Sequence, residues 1–299
     1  MAPKPKIIAV VGPTAAGKTA LSIALAKHVN GEVISADSRQ VYRGMDIGTS
    51  KVTTAEMQGI PHHLLDVADP MEIYTAANFV HVATSAIKHI NSSGNNPIIA
   101  GGTFFYLDLL RGKMQAAPVE PDYDLRTTLE TYSNEELLEL LQTKDSRRAN
   151  VIDPHNRRRL IRALEIVHTL GAVPPAEPQK SDYEWLLLGI TRNKDELRAR
   201  YRSRATTWLK QGFKEEVQQL LAQGVTRARF QEIGFEYVLM LQLLDKEISE
   251  AEFIDRFEEK NWQYAKRQLT WLRKDPAIVW ITPQESDLAL TKATDFLKS

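Results

Sequence analysis

Eight consecutive residues, Gly12-Pro13-Thr14-Ala15-Ala16-Gly17-Lys18-Thr19, carry the strongest chemical signal in the chain. They fit the pattern G-x-x-x-x-G-K-[ST], in which glycines let backbone N–H groups wrap a phosphate without obstruction by Cβ. Lys18 would neutralise the distal phosphate, the Thr19 hydroxyl would ligate Mg²⁺, and the helix N-terminus would add positive potential. The expected chemistry is polyphosphate binding, and the loop alone points to a nucleotide-binding, ATP-binding kinase or ATPase. A hydrolysing ATPase usually shows an apolar strand ending in an acid for magnesium and water. Leu64-Leu65-Asp66 is a partial match, whereas the strand at 97–100 runs into Gly101-Gly102-Thr103. Asp37 ends another strand, in Ile34-Ser35-Ala36-Asp37-Ser38-Arg39-Gln40, and strand C-termini of doubly wound sheets meet at the ligand. Asp37 and Thr103 are therefore expected to face the phosphate loop, although an aspartate can also cap a helix and a threonine satisfy a turn.

The elements that must position these residues follow from pattern. Lys6–Val11 is a β-branched run closed by Gly12-Pro13, and residues 18–28 have helical periodicity up to Asn30-Gly31. Strands are expected at 32–35, 62–67 and 97–100, with a helix over 75–90. Such alternation implies an α/β fold with a parallel sheet flanked by helices, of the P-loop NTPase type. Beyond Gly112 the texture changes. A Pro-rich connector at 115–121, helices at 122–143 and 154–170, and a second connector with Pro174, Pro175 and Pro178 suggest an inserted α-helical subdomain. The expected domains are a catalytic core in two parts, 1–114 and 183–299, around an insertion at 115–182. The second part reads as an apolar strand at 185–190, helices at 193–211, 213–223, 231–244 and 249–270, and a closing strand at Ile278–Ile281.

The 299 residues are 43% hydrophobic and 25% charged, an ordinary globular balance that excludes a mostly disordered or collagen-like chain. No run approaches the ~20 apolar residues of a membrane span. Zero cysteines exclude disulfides, thiolate catalysis and cysteine-based zinc sites. The N-terminal residues lead into a strand without an apolar leader core, so a cytoplasmic enzyme is expected. Net charge is zero, but the charge is sorted. Arginines crowd 147–162, a second basic stretch includes Arg192, Arg198, Arg200, Arg202 and Arg204, and acids collect at 245–259. His62-His63 resembles a metal pair only superficially, because adjacent strand side chains point to opposite faces. Trp262 and Trp271 are expected to be packing residues.

Taken together, the phosphate loop, the run from Asp37 to Thr49, Pro61-His62-His63-Leu64-Leu65 and Gly101-Gly102-Thr103 resemble the tRNA dimethylallyltransferase family. So do the segments around Arg158, Ile233-Gly234-Phe235 and Tyr264–Arg273, in the same order along nearly the whole chain. The resemblance implies transfer of a dimethylallyl group from its diphosphate to N6 of the adenosine just 3′ of the anticodon. The phosphate loop would then hold the diphosphate leaving group, with Mg²⁺ and an arginine, Arg204 by position, neutralising its growing charge. Asp37 matches the family's general base, and Thr103 a position near the reacting groups. The base must leave its stack to be reached, and single-stranded loops are where RNA is read. The tRNA anticodon stem-loop would be met by Asp37, Ser38, Arg39, Gln40 and Thr103, by Arg126, and by Arg158-Arg159-Leu160-Ile161-Arg162 in the insertion. It would also be met by Gln231-Glu232-Ile233-Gly234-Phe235-Glu236 and by Lys266-Arg267-Gln268-Leu269-Thr270-Trp271-Leu272-Arg273. A monomer is the simplest expectation.

The chain departs from the family at Phe104-Phe105, where a small residue commonly comes first, and at Lys144-Asp145-Ser146-Arg147-Arg148, where Asp-Pro is usual. Glu236 replaces a commonly polar or basic residue. Rival readings are a small-molecule kinase, an adenylate prenyltransferase acting on free AMP, and a non-catalytic RNA-binding module. The Arg-rich insertion favours tRNA over AMP, and the intact loop with Asp37 disfavours a mere binding module.

Overall fold

The computed structural model describes residues 4–175 and 178–299. The first three residues, and Ala176 and Glu177 in the second connector, lie outside the described residues. The chain forms two compact units, Met1–Arg111 with Lys180–Ser299, and Gly112–Gln179.

The first unit is built on a sheet of six strands, all parallel, in the order β3-β2-β4-β1-β5-β6. Its elements begin with β1 (Lys6–Val11), α1 (Lys18–Val29), β2 (Gly31–Ser35), α2 (Thr54–Met57) and β3 (His62–His63). They continue with α3 (Ala76–Ser92), β4 (Asn96–Ala100) and α4 (Phe104–Leu110). Alternate residues of β1 feed opposite layers, as strand geometry requires. Ile8 and Val10 pack with Leu21 and Leu25 of α1, while Ile7 packs with Phe79 and Ala83 of α3. The apolar run predicted from sequence is thus a central strand covered on both faces. β3 is two residues long, not the 62–67 expected. Leu64 and Asp66 adopt φ of 65° and 57°, left-handed conformations that cannot continue a ladder.

The second unit holds α5 (Tyr123–Leu129), α6 (Asn134–Lys144), α7 (Ser146–Ala149) and α8 (Arg157–Leu170) around Leu129, Leu137, Leu141, Leu160 and Leu164. The single helix expected over 122–143 is two, because Ser133 forms a capping box with Glu136 and starts α6 afresh. Asp145, in the run where the family pattern is broken, caps α7 at Arg148 N and also accepts from Val173 N.

The first unit resumes with β5 (Glu184–Ile190), α9 (Lys194–Gln211), α10 (Phe213–Ala222), α11 (Arg227–Ile233), α12 (Phe235–Leu244) and α13 (Glu250–Leu272). β6 (Ile278–Ile281) and α14 (Ser286–Lys298) follow. The expected helix over 231–244 is divided at Gly234. The terminal helix α14, absent from the sequence reading, packs Ala289 and Ala293 into the layer shared with α1. No helix among the described residues is long and apolar enough to cross a membrane.

Candidate active site

The phosphate loop connects β1 to α1 as its motif demands. Ala15 and Gly17 take φ of 61° and 112°, the latter immediately before α1, and this curls the chain around a concavity. The first N–H groups of α1 have no intrahelical acceptor and open onto it. The loop's outward carbonyls are held by donors on and just before α9. Arg192 Nε donates to Ala16 O at 2.7 Å, Arg200 Nε to Ala15 O at 2.8 Å, and Tyr201 Oη to Thr14 O at 3.3 Å. Arg204 Nη1 reaches Thr14 Oγ1 at 3.2 Å. Arg204 therefore belongs to the loop's wall, and the basic stretch around it also supplies the buttressing by Arg192 and Arg200.

Lys18 folds over the loop, donating to Gly12 O at 3.0 Å and Pro13 O at 2.9 Å. Burial lowers its pKa to about 8; Arg204 adds to the fall and Asp37 opposes it. Burial likewise lowers the pKa of Arg204. Two cations held together in a poorly solvated site form a receptor for a multiply charged anion.

Asp37 follows the end of β2 and lines the same cavity as Lys18 and Arg204. Its Oδ1 accepts from Arg39 N at 2.9 Å, so the residue makes a local turn while its other oxygen has no bond among the described residues. Thr103 Oγ1 accepts from Ser38 N at 3.0 Å and tethers the Asp37 turn to the end of β4. The two strand ends approach so closely that a Cβ on Gly101 would lie 2.1 Å from Ala36 O. Glycine is required there for the strand ends that carry Asp37 and Thr103 to approach.

A third wall was not read from the sequence. The buried carboxylate of Glu216 accepts from the N–H groups of Asp46, Ile47 and Gly48, and from Tyr237 Oη. Burial raises the Glu216 pKa, against the pull of those four donors. This brace sets Gly48, Thr49 and Ser50 beside Asp37 in the cavity. One of two adjacent glutamates on an amphipathic helix gave no signal of that task.

The proposed tRNA segments divide by burial. On α13, Lys266, Arg267, Thr270, Trp271 and the adjoining Arg273 face outward. Gln268, Leu269 and Leu272 are buried, a correction to treating 266–273 as one surface; a helix turns every third or fourth residue inward. Trp271 is half-exposed with Nε1 on Asp108, and Trp262 lies beneath the ammonium groups of Lys194 and Lys266, so neither is simply core. In 231–236, Gln231 and Glu232 are exposed while Ile233 and Glu236 are buried. Glu236 is not a surface contact but the ion-pair partner of Arg39.

In the second unit, Arg158 and Arg159 are exposed, but Leu160 and Ile161 fill that unit's core. Arg126 and Arg162 both engage buried Glu165, Arg126 through Nε at 2.7 Å and Nη2 at 2.9 Å. Arg126 thereby ties α5 to α8, while Arg162, on α8 itself, also donates to Val119 O in the connector.

The donor set also fits magnesium. The ion takes few protein ligands when phosphate oxygens and water supply the rest. Thr19, exposed at the first turn of α1, presents a hydroxyl to the cleft that Asp37 also lines.

The family model described as IPP transferase matches residues 40–275. A tRNA dimethylallyltransferase of Halalkalibacterium halodurans is 38% identical over 294 residues, covering 95% of this chain and 93% of that relative. One from Thermomicrobium roseum is 42% identical over 280 residues, covering 92% and 85%. Among solved structures, the full-length tRNA isopentenylpyrophosphate transferase of Bacillus halodurans superposes with a TM-score of 0.72 at 35% identity, covering 99% of both chains. A eukaryotic dimethylallyltransferase acting on tRNA gives 0.81 at 28% identity, covering 98% of this chain and 80% of that one. The cavity between the phosphate loop and Asp37 thus sits on a scaffold that these enzymes share over nearly all of this chain, and the chain belongs to the IPP transferase family, that of the tRNA dimethylallyltransferases.

Proposed function

We propose that this protein transfers the dimethylallyl group of dimethylallyl diphosphate to N6 of the adenosine 3′-adjacent to the anticodon in tRNA, releasing diphosphate. The observation that supports the reading is a phosphate loop whose lysine shares one cavity with a strand-end aspartate, the turn of that aspartate being tethered by a threonine from the neighbouring strand. In the reaction the allylic C–O bond breaks and the N6–C bond forms. Charge grows on the departing oxygen, where Lys18, Arg204 and the N–H groups of the Ala15–Thr19 turn lower the barrier. Magnesium, when bound through Thr19 and the diphosphate, would supply further neutralisation. The exocyclic amine is a weak nucleophile because its lone pair is delocalised into the ring, so its proton must leave as the bond forms. Asp37 receives that proton, and Thr103 keeps the acid in place through Ser38.

The exposed cations Arg158, Arg159, Lys266, Arg267 and Arg273 would meet the phosphates of the anticodon stem-loop. The enzyme would act as a cytoplasmic monomer. The test is incubation with unmodified tRNA, Mg²⁺ and dimethylallyl diphosphate, followed by nucleoside mass spectrometry for isopentenyladenosine. Product on AMP but not on tRNA would move the assignment to an adenylate prenyltransferase, and no product on either would end the reading.

A further inference from the structure

Gln268 sits on the inward side of α13, 4% exposed, between the two halves of the cavity. Its Oε1 accepts from Thr14 N at 2.9 Å, and its Nε2 donates to Gly102 O at 3.1 Å. Only one orientation of the amide serves both partners. A backbone N–H can only donate and a carbonyl can only accept, so a flipped amide loses both bonds. One side chain therefore spans from the loop expected to hold the diphosphate to the turn that carries Thr103, and Thr103 in turn holds the Asp37 loop. Gly102 is shaped to that span. A Cβ built on it would lie 2.8 Å from Gln268 Nε2 and 3.9 Å from Lys18 Nζ, with no other close atom among the described residues. The φ of Gly102 is not in the left-handed region, so the amide, rather than the backbone, is what excludes a side chain.

We propose that Gln268 is a positioning residue for the transfer. Its amide fixes the separation of the donor loop from the acceptor turn, so that the leaving diphosphate and the base Asp37 stay in register. This rests on the prenyl-transfer reading above. Both ends of the bridge are loops at the C-terminal edge of the sheet, where a small slip moves reacting atoms directly. Near-attack geometry tolerates little of that: a misplacement of about 1 Å costs on the order of 100-fold in rate. Because Gln268 faces away from the outward positions of α13, its loss should be felt in turnover and not in tRNA affinity.

The experiment is steady-state kinetics of the full chain with tRNA and dimethylallyl diphosphate. Gln268→Met keeps most of the volume and removes both bonds. It should lower kcat on the order of 100-fold while leaving KM for tRNA within about threefold. Gly102→Ala, whose methyl would displace the amide, should reproduce the loss. Added to Gln268→Ala, it should cost nothing more than Gln268→Ala alone, because the group it disturbs is already gone. Thermal melting accompanies each variant, and the Gly102→Ala cycle decides if Gln268→Met does not fold. Unchanged kcat, a rise in tRNA KM alone, or additive losses in the double variant would each overturn the inference. Wild-type protein that forms no isopentenyladenosine would instead remove the underlying reading, which the variants do not test.

Discussion

Arg39 Nη1 donates to Glu236 Oε1 at 2.5 Å, joining the turn after β2 to the start of α12 across 197 positions of sequence. The guanidinium lies 5.8 Å from the ring centres of both Phe235 and Tyr264. Burial disfavours its charge, but Glu236, Tyr264 and Asp37 outweigh that cost and leave Arg39 more firmly protonated than an ordinary arginine. A cation is thus fixed beside the candidate base by a carboxylate that family resemblance alone would assign to RNA.

Removing that carboxylate strands a buried charge. Glu236→Ala should lower unfolding stability by about 3–5 kcal/mol, the usual cost of breaking a buried pair from one side. Urea denaturation followed by circular dichroism would measure it. A loss below about 1 kcal/mol would mean that the pair is effectively solvated.

Asp37 offers a cleaner separation of chemistry from folding. Asn at this position keeps an oxygen for Arg39 N but cannot take the amine proton. Asp37→Asn should melt within a few degrees of wild type and lose about 10²- to 10⁴-fold in kcat, the range for general-base removal. Near-normal isopentenyladenosine formation would remove Asp37 from the mechanism.

The lowered pKa of Lys18 sets a pH dependence for donor binding. The cationic form is the one that pairs with diphosphate, and it predominates in the free protein only below about 8. Affinity for dimethylallyl diphosphate should therefore be full below that pH and fall as pH rises through it, because binding must then be accompanied by proton uptake. Calorimetric titrations from about pH 7 to about pH 9.5 would span the fall. Lys18→Met should bind weakly and without it; the same slope in that variant would place the titrating group elsewhere.

Exposed and engaged arginines of the second unit should behave differently. Replacing Arg158 and Arg159 by alanine should weaken tRNA binding with stability unchanged. The salt slope should fall by roughly 0.7–0.9 for each phosphate that is no longer neutralised. Arg162→Ala removes donors to Glu165 and Val119 O and should lower stability as well. Filter binding across a salt series, paired with melting curves, distinguishes the two.

Much of the α/β core was legible because its signals are local. A strand run, a glycine-rich loop and a helix start in Lys6–Val29 are contiguous, and backbone sterics alone dictate what they form. The same locality misled at 62–67, where Leu-Leu-Asp has strand composition but Asp66 turns to meet Lys51 Nζ. It misled again over 231–244, where apolar periodicity runs through the break at Gly234.

By itself, then, the amino-acid sequence determined the phosphate loop, the alternation that builds a parallel sheet, and the Arg-rich helical segment. The strand ends also pointed to Asp37 and Thr103, and resemblance added their roles and Arg204. Only the tertiary structure decided which side of each helix looks inward. It turned Gln268 toward Thr14 and Gly102, Glu236 toward Arg39, and Glu216 toward the loop at 46–48. The reason is physical. Each of these partners is more than 160 residues away in sequence, and the bonds exist only because burial makes an unpaired polar group costly. Spacing along a chain encodes what a segment can form, whereas the pairing of distant polar groups is settled when packing excludes water between them.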